Sequence, residues 1–245
     1  PTPQGQQDSP DKPSNWLSRE HYLRWQAGEE IFTFVGLMDK VYGIRTPDHT
    51  AYSLLKTGNS QNDQTHGVIV QINKAPYEYT GHIFMGNMSQ KNDLRQKGFS
   101  FMLEKDLNQY HRVGGATLMS SNDYLQWIRL EGHSKYGFGK GNSLLSEIGI
   151  VQNKPKSGTA ETGGYLLLQG LGLLNRGYNF LSQLEYYNQT LSTNTPDQLR
   201  WTLGFLIFPA PRYELRFTMV NGRSLSDSGV INDQWSVQSQ LHLSL

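Results

Sequence analysis

The 245-residue chain contains no cysteine. That excludes disulfides, thiolate metal sites, iron–sulfur clusters, covalently attached c-type haem and a cysteine nucleophile. Charge of a single sign is missing too, since 22 Lys and Arg against 21 Asp and Glu leave a net +1 at pH 7. Such a chain has no field to steer it onto nucleic acid or an anionic membrane surface. No apolar run approaches the ~20 residues of a spanning helix, so a helical membrane protein is excluded. An amphipathic helix of three turns is also absent. A membrane β-barrel survives these exclusions. Its strands alternate between lipid and lumen, so its average composition looks soluble, as 36% hydrophobic and 18% charged residues do here.

Residues 1–18 contain four prolines, three glutamines and no periodic apolar residue. They read as a disordered or extended N-terminal arm, without the basic start or apolar run of a secretion signal. From residue 19 to 245 the dominant period is two. At the end of the chain, Trp235, Val237, Ser239, Leu241, Leu243 and Leu245 alternate with Ser236, Gln238, Gln240, His242 and Ser244. Leu199, Trp201, Leu203, Phe205 and Ile207 oppose Arg200, Thr202 and Gly204, and Leu215, Phe217 and Met219 oppose Glu214, Arg216 and Thr218. The pattern predicts about 14 strands, near 19–27, 30–40, 48–57, 64–74, 77–88, 96–107, 110–121, 124–135, 142–152, 162–173, 176–190, 197–209, 211–222 and 233–245. Many are longer than the 5–6 residues of ordinary strands and match the 9–11 residues of a tilted spanning strand.

Connections alternate in length as well. Asn73–Pro76, Leu107–Gln109, Leu174–Gly177 and Pro209–Arg212 are short, while 58–63, 87–93, 153–159, 192–197 and 221–233 are longer and polar. Outer-membrane barrels have short periplasmic turns and long outer loops. Two connections break the rule: Gln26–Glu29 is short on the long side, and Gly132–Gly141 is long on the short side.

These features together resemble a bacterial outer-membrane β-barrel of the porin-like kind, all-β, up-and-down and antiparallel, with 12 to 16 strands tolerated. The segment Gly36-Leu-Met-Asp-Lys-Val-Tyr-Gly-Ile-Arg-Thr-Pro-Asp-His-Thr-Ala-Tyr-Ser53 resembles a stretch of such barrels in which a strand ends near a Tyr-Gly turn and Asp-His-Thr opens the next. Some of these barrels are similar to the scaffolds of porin–cytochrome electron conduits. The final strand resembles a barrel-assembly signal but ends in Leu245, where Phe or Trp is usual.

Catalytic and cofactor chemistry finds little footing. Gly137-Phe-Gly-Lys-Gly141 and Gly163-Gly164 match neither a P-loop nor a dinucleotide fingerprint and read as turn and bulge glycines. The seven histidines form no close ligand pair, and no serine sits in a recognisable nucleophile setting. The chain therefore reads as a non-enzyme with no cofactor and no metal. What remains is a polar face on nearly every strand. In a barrel that face lines the interior, so Glu78, His82, Glu104, Arg129, Glu131, Glu147, Gln183, Glu185, Arg200, Glu214, Arg216, Gln238, Gln240 and His242 are the expected pore-lining residues. Their mixed signs predict weak ion selectivity. Tyr22, Trp25, Tyr77, Tyr110, Tyr124, Tyr136, Tyr178, Tyr186, Tyr187, Trp201, Tyr213 and Trp235, near strand ends, read as interfacial girdles.

At 14 strands, a ~4.8 Å spacing and ~40° tilt give a diameter of about 28 Å. No plug domain is visible, and no loop reads as long enough to fold deeply inside. The leading expectation is a passive outer-membrane channel whose partners are lipid and small polar solutes, with no nucleic acid. The alternatives are a scaffold sheathing a partner such as a multihaem cytochrome, and a soluble β-sandwich binding module.

Overall fold

In the computed structural model the period of two becomes, among the described residues, thirteen antiparallel strands in one sheet. The structure describes residues 20–46, 48, 50–60, 63–193, 195–226 and 228–243; the proposed N-terminal arm, His49, Ser244 and Leu245 lie outside them. In chain order the elements are β1 (His21–Ala27), β2 (Ile31–Met38), α1 (Tyr52–Leu55), β3 (Thr65–Lys74), β4 (Tyr77–Phe84), β5 (Lys97–Asn108) and β6 (His111–Ser121). There follow β7 (Leu125–Phe138), β8 (Asn142–Pro155), β9 (Glu161–Asn175), β10 (Tyr178–Asn188), β11 (Asp197–Ala210), β12 (Tyr213–Ser226) and β13 (Gly229–Leu243). Each strand pairs with its sequence neighbours, in the order β1 to β13.

Alternation assigns the two faces. On β11, Arg200, Thr202, Gly204 and Leu206 are buried between Trp201, Leu203, Phe205 and Ile207. The outer set continues through Leu215, Phe217, Leu241 and Leu243. Register carries it from strand to strand, as in Phe180↔Phe205 and Phe205↔Phe217. This belt is bare: Leu23 is 80% exposed, Ile83 73% and Val237 82%. A closed core between two sheets would have covered it, so the β-sandwich alternative is not the fold.

The described residues of 48–57, expected as a strand, form none. That stretch holds one helical turn, in which Leu55 and Lys56 amides donate to Ala51 and Tyr52 carbonyls. Removing it restores the rule of connection lengths. All six odd-to-even turns are now two or three residues long, including Gly28–Glu30 and Gly139–Gly141. The second exception vanishes because β7 runs on to Phe138. The expected loop 221–233 is also replaced: β12 and β13 continue through it and meet at a tight hairpin. Tyr77, Tyr110, Tyr136, Tyr178 and Tyr213 all stand beside the short turns and are 37–60% exposed, which forms a ring at that end. Two other aromatics depart from a girdle. Tyr22 lies on the inner face against Phe34, and Tyr187 is buried inside against Tyr52.

Candidate functional site

The described residues of 39–64, between β2 and β3, fold into the interior instead of standing above the rim. Tyr42, Ile44, Ala51 and Leu54 are each at most 4% exposed. Taking this backbone out of bulk water leaves N–H and C=O groups that need partners, and the barrel wall supplies them. Glu147 on β8 accepts hydrogen bonds from the Ile44 amide and from the Tyr165 hydroxyl on β9 at 2.6 Å. The Tyr165 and Tyr42 hydroxyls lie 3.3 Å apart. Gly43 has φ +64°, and a Cβ there would stand 2.7 Å from a Glu147 oxygen; the Tyr-Gly pair thus lets the segment lie directly on the carboxylate.

Further round the wall, Glu185 on β10 accepts from the Tyr52 amide. Arg200 on β11 donates to the Thr50 carbonyl at 2.6 Å and to Asp48 at 2.8 Å, and pairs with Glu185 at 3.1 Å. Gln183 reaches Asp48 at 3.4 Å. Arg129 on β7 donates to the Thr57 carbonyl at 3.1 Å. Lys40 clasps the two ends of the segment, donating to Gly58 O at 2.9 Å and to Gln96 at 2.8 Å. Burial lowers the Lys40 amine to about 8, with Asp63 opposing the shift; burial also raises the Tyr42 hydroxyl.

The expected pore-lining residues therefore fall into three groups. Arg129, Glu147, Gln183, Glu185 and Arg200, all at most 5% exposed, are covered by the folded-in segment. A second group forms a cross-strand network toward the short-turn end. Glu104 accepts from His133 at 2.8 Å, from Lys135, and from Arg112 at 3.2 Å. Arg112 also reaches Glu78 at 3.0 Å and Asp106 at 2.6 Å, and Glu131 bonds the other nitrogen of His133 at 3.0 Å. The third group lies on β12 and β13. Arg216 pairs with Glu214 at 3.2 Å, and His242 bonds Gln240 at 3.3 Å. Arg216, Gln238 and Gln240 line a small crevice with Asp48, Thr202 and Thr218. His82 stands apart: it is 1% exposed, tilted against the Phe84 ring at 5.1 Å, and neither ring nitrogen has a hydrogen-bond partner among the described residues.

Sequence reasoning missed Tyr42, Asp48, Thr50, Arg112, His133, Tyr165 and Lys135. The available signal was position: Arg112, His133 and Lys135 share a face with Glu104 once register is known. Among the described residues no group of three or more His, Cys, Asp or Glu could hold a metal ion.

No protein-family model and no curated protein sequence matches the chain. Solved structures do. A loop-deletion mutant of OmpT, an outer membrane protein of Vibrio cholerae, superposes with a TM-score of 0.76 over 91% of this chain and 79% of its own, at 10% identity. The fold is that of the bacterial outer-membrane porin-like barrels. An anion-selective porin from Comamonas acidovorans matches with a TM-score of 0.64 at 11% identity, over 90% of this chain and 74% of its own. The outer membrane channel DcaP of Acinetobacter baumannii gives 0.59 at 8% identity, over 85% and 70%. In this porin-like barrel, the described residues of the segment 39–64 pack against the inner wall.

Proposed function

We propose that the chain forms the wall of a passive diffusion channel for small polar solutes in the outer membrane of a Gram-negative bacterium. No bond is made or broken in this reading. The observation that carries it is the pinned segment 39–64 inside a wall whose outer belt is apolar. The belt suits hydrocarbon, and the segment narrows the path without filling it with a separate domain. Wall charges of both signs, among them Glu78, Arg112, Lys135 and Arg216, support weak ion selectivity. The porin and channel neighbours support the same reading. A sheath around a multihaem cytochrome is disfavoured, because the segment takes up room such a partner would need.

Liposome swelling tests the proposal. Vesicles holding the chain should admit small sugars and exclude larger oligosaccharides. Replacing residues 45–60 by a short Gly-Ser linker should raise the size limit. An unchanged limit, or a haem absorption band in the purified protein, would discard the channel reading.

A further inference from the structure

Arg129, Arg200 and Arg216 are the arginines of the inner wall that are at most 5% exposed, and they differ in how far their donors are used. Arg129 donates to the carbonyls of Thr57, Ile128 and Gln152. Arg200 donates to Thr50 and Asp48 and pairs with Glu185. Arg216 reaches one partner among the described residues, Glu214 at 3.2 Å, and its buried Nε has none. A guanidinium carries five N–H donors and keeps its charge. Burying that charge with its donors idle is costly, so the site suits an acceptor that the described residues do not supply.

The surroundings of Arg216 say which acceptor. Register sets Arg216 opposite Gln240 and Thr218 opposite Gln238, and these four line the crevice with Thr202 and Asp48. Thr218 also pairs with Gly204, where a Cβ would stand 2.7 Å from the Thr218 methyl; the missing side chain leaves the wall open beside it. The Thr202 hydroxyl, like the Arg216 Nε, is buried without a partner. Asp48 is already satisfied: its carboxylate accepts from the Thr50 amide and hydroxyl, from Arg200 and from Gln183. The idle groups are therefore donors, and they call for an anion. Asp48 and Glu214 repel a second negative charge, which favours a monoanion over phosphate or sulfate. The guanidinium fork matches the two oxygens of a carboxylate, which a halide lacks.

We propose that the crevice binds the carboxylate head of a small monoanionic solute, with Arg216 as its anchor and the Thr202 hydroxyl as a second donor. The crevice is small, so the head enters and the remainder of the solute stays in the lumen. The proposal rests on the channel reading for the route to the crevice, and names the class of solute held there.

Acetate is the probe. The full chain, labelled with nitrogen-15 and folded in octyl glucoside micelles near pH 7, is titrated with sodium acetate while sodium chloride is lowered to hold ionic strength constant. Arginine Nε–H signals are followed. Arg216→Lys keeps the charge and removes the fork, so it identifies the Arg216 signal by its loss, and the unchanged signals of the other arginines show that the variant folds. The Arg216 signal should shift and saturate, while that of Arg112, already paired with three carboxylates, should barely move. Thr202→Val should weaken acetate about fivefold in the same titration. Line broadening of the acetate carboxyl carbon reads the equilibrium from the ligand's side, and there Arg216→Lys should weaken it about tenfold. No saturation at Arg216, equal drift of Arg112 and Arg216, or sulfate binding as tightly as acetate overturns the proposal. Swelling of vesicles in neutral sugars keeps the two readings apart. Saturation in a chain that admits no sugar supports the site and discards the channel; sugar uptake without saturation discards the site alone.

Discussion

Two stretches of the inner wall carry the same kinds of side chain and use them differently. On β7 to β11, Arg129, Glu147, Glu185 and Arg200 are almost free of water and bond to residues 39–64. On β4 to β7, Glu78, Glu104, Arg112 and Lys135 bond to one another, with the Arg112 and Lys135 side chains 33% and 37% exposed. The difference lies in what each charge faces. The folded-in segment brings amides (Ile44, Tyr52) and carbonyls (Thr50, Thr57) whose partners among the described residues are these wall side chains. Cross-strand neighbours such as Glu78↔Glu104 bring side chains instead of backbone: Arg112 between them, and His133 and Lys135 on Glu104. A wall charge is therefore a clasp where backbone lies over it and part of a wet network where none does.

The contrast breaks first at Arg200. Arg200→Met leaves Asp48 and Glu185 buried without their cation, and removing one partner of a buried pair costs about 3–5 kcal/mol. Urea unfolding of the lipid-inserted chain should show a loss of that size, and single-channel records should become noisier as α1 comes free. A loss below about 1 kcal/mol would mean that the segment is held by packing and not by its clasps.

The period of two made the strands legible, and the polar faces made the inward side chains legible. The partners of those side chains were not. Register is not encoded in spacing along one strand, so nothing in the residues around Arg112 points to Glu78. Residues 48–57 misled for a physical reason. Ala51, Tyr52, Leu54 and Leu55 are as apolar as a strand, but Asp48 accepts from the Thr50 amide on its carboxylate at 2.9 Å and from the Ala51 amide on its carbonyl at 3.1 Å, a turn that leads into the helical residues. The signature was present in the connections. A phantom strand shifts parity for everything before it, and the short Gln26–Glu29 turn was the mark of that shift.

The second prediction sharpens the boundary between inside and outside. Phe217, 45% exposed on the outer belt, should cost about 2–4 kcal/mol when replaced by Arg near the bilayer midplane. Its neighbour Thr218 faces the crevice with Arg216 and Gln238, and Thr218→Arg should cost clearly less. Reversible folding into vesicles measures both. Equal costs at the two positions would erase the distinction between lipid and lumen faces.

A third test asks how dry the clasped region is. Lys40 sits there with its amine lowered to about 8 by burial. The sign follows from linkage: below pH 8 the folded chain carries the full cost of a buried charge. Between 8 and the ordinary 10.5 the folded state gives up its proton first, so stability rises with pH, and above that range it levels off. Between pH 7.5 and 9.5 the gain should be about 2 kcal/mol. It is read as the difference between the parent and Lys40→Met, which cancels titrations elsewhere. No difference in slope between the two proteins would show that water reaches Lys40.

The smallest effect belongs to the wet network and completes the comparison. Arg112 touches Glu78, Glu104 and Asp106, more ion pairs than Arg200 makes, and a count of contacts would rank it first. Its side chain is 33% exposed and the Asp106 side chain 45%, so water screens the pairs and solvates whatever a mutation leaves behind. Glu104 keeps His133 and Lys135 when Arg112 is gone. Arg112→Gln should therefore cost about 1 kcal/mol or less, with the loss shrinking further in high salt and the channel records unchanged. Salt should leave the Arg200→Met loss nearly untouched, because that pair lies where ions do not reach. If Arg112→Gln proved as costly as Arg200→Met, and equally indifferent to salt, exposure would not be what separates the two stretches of wall.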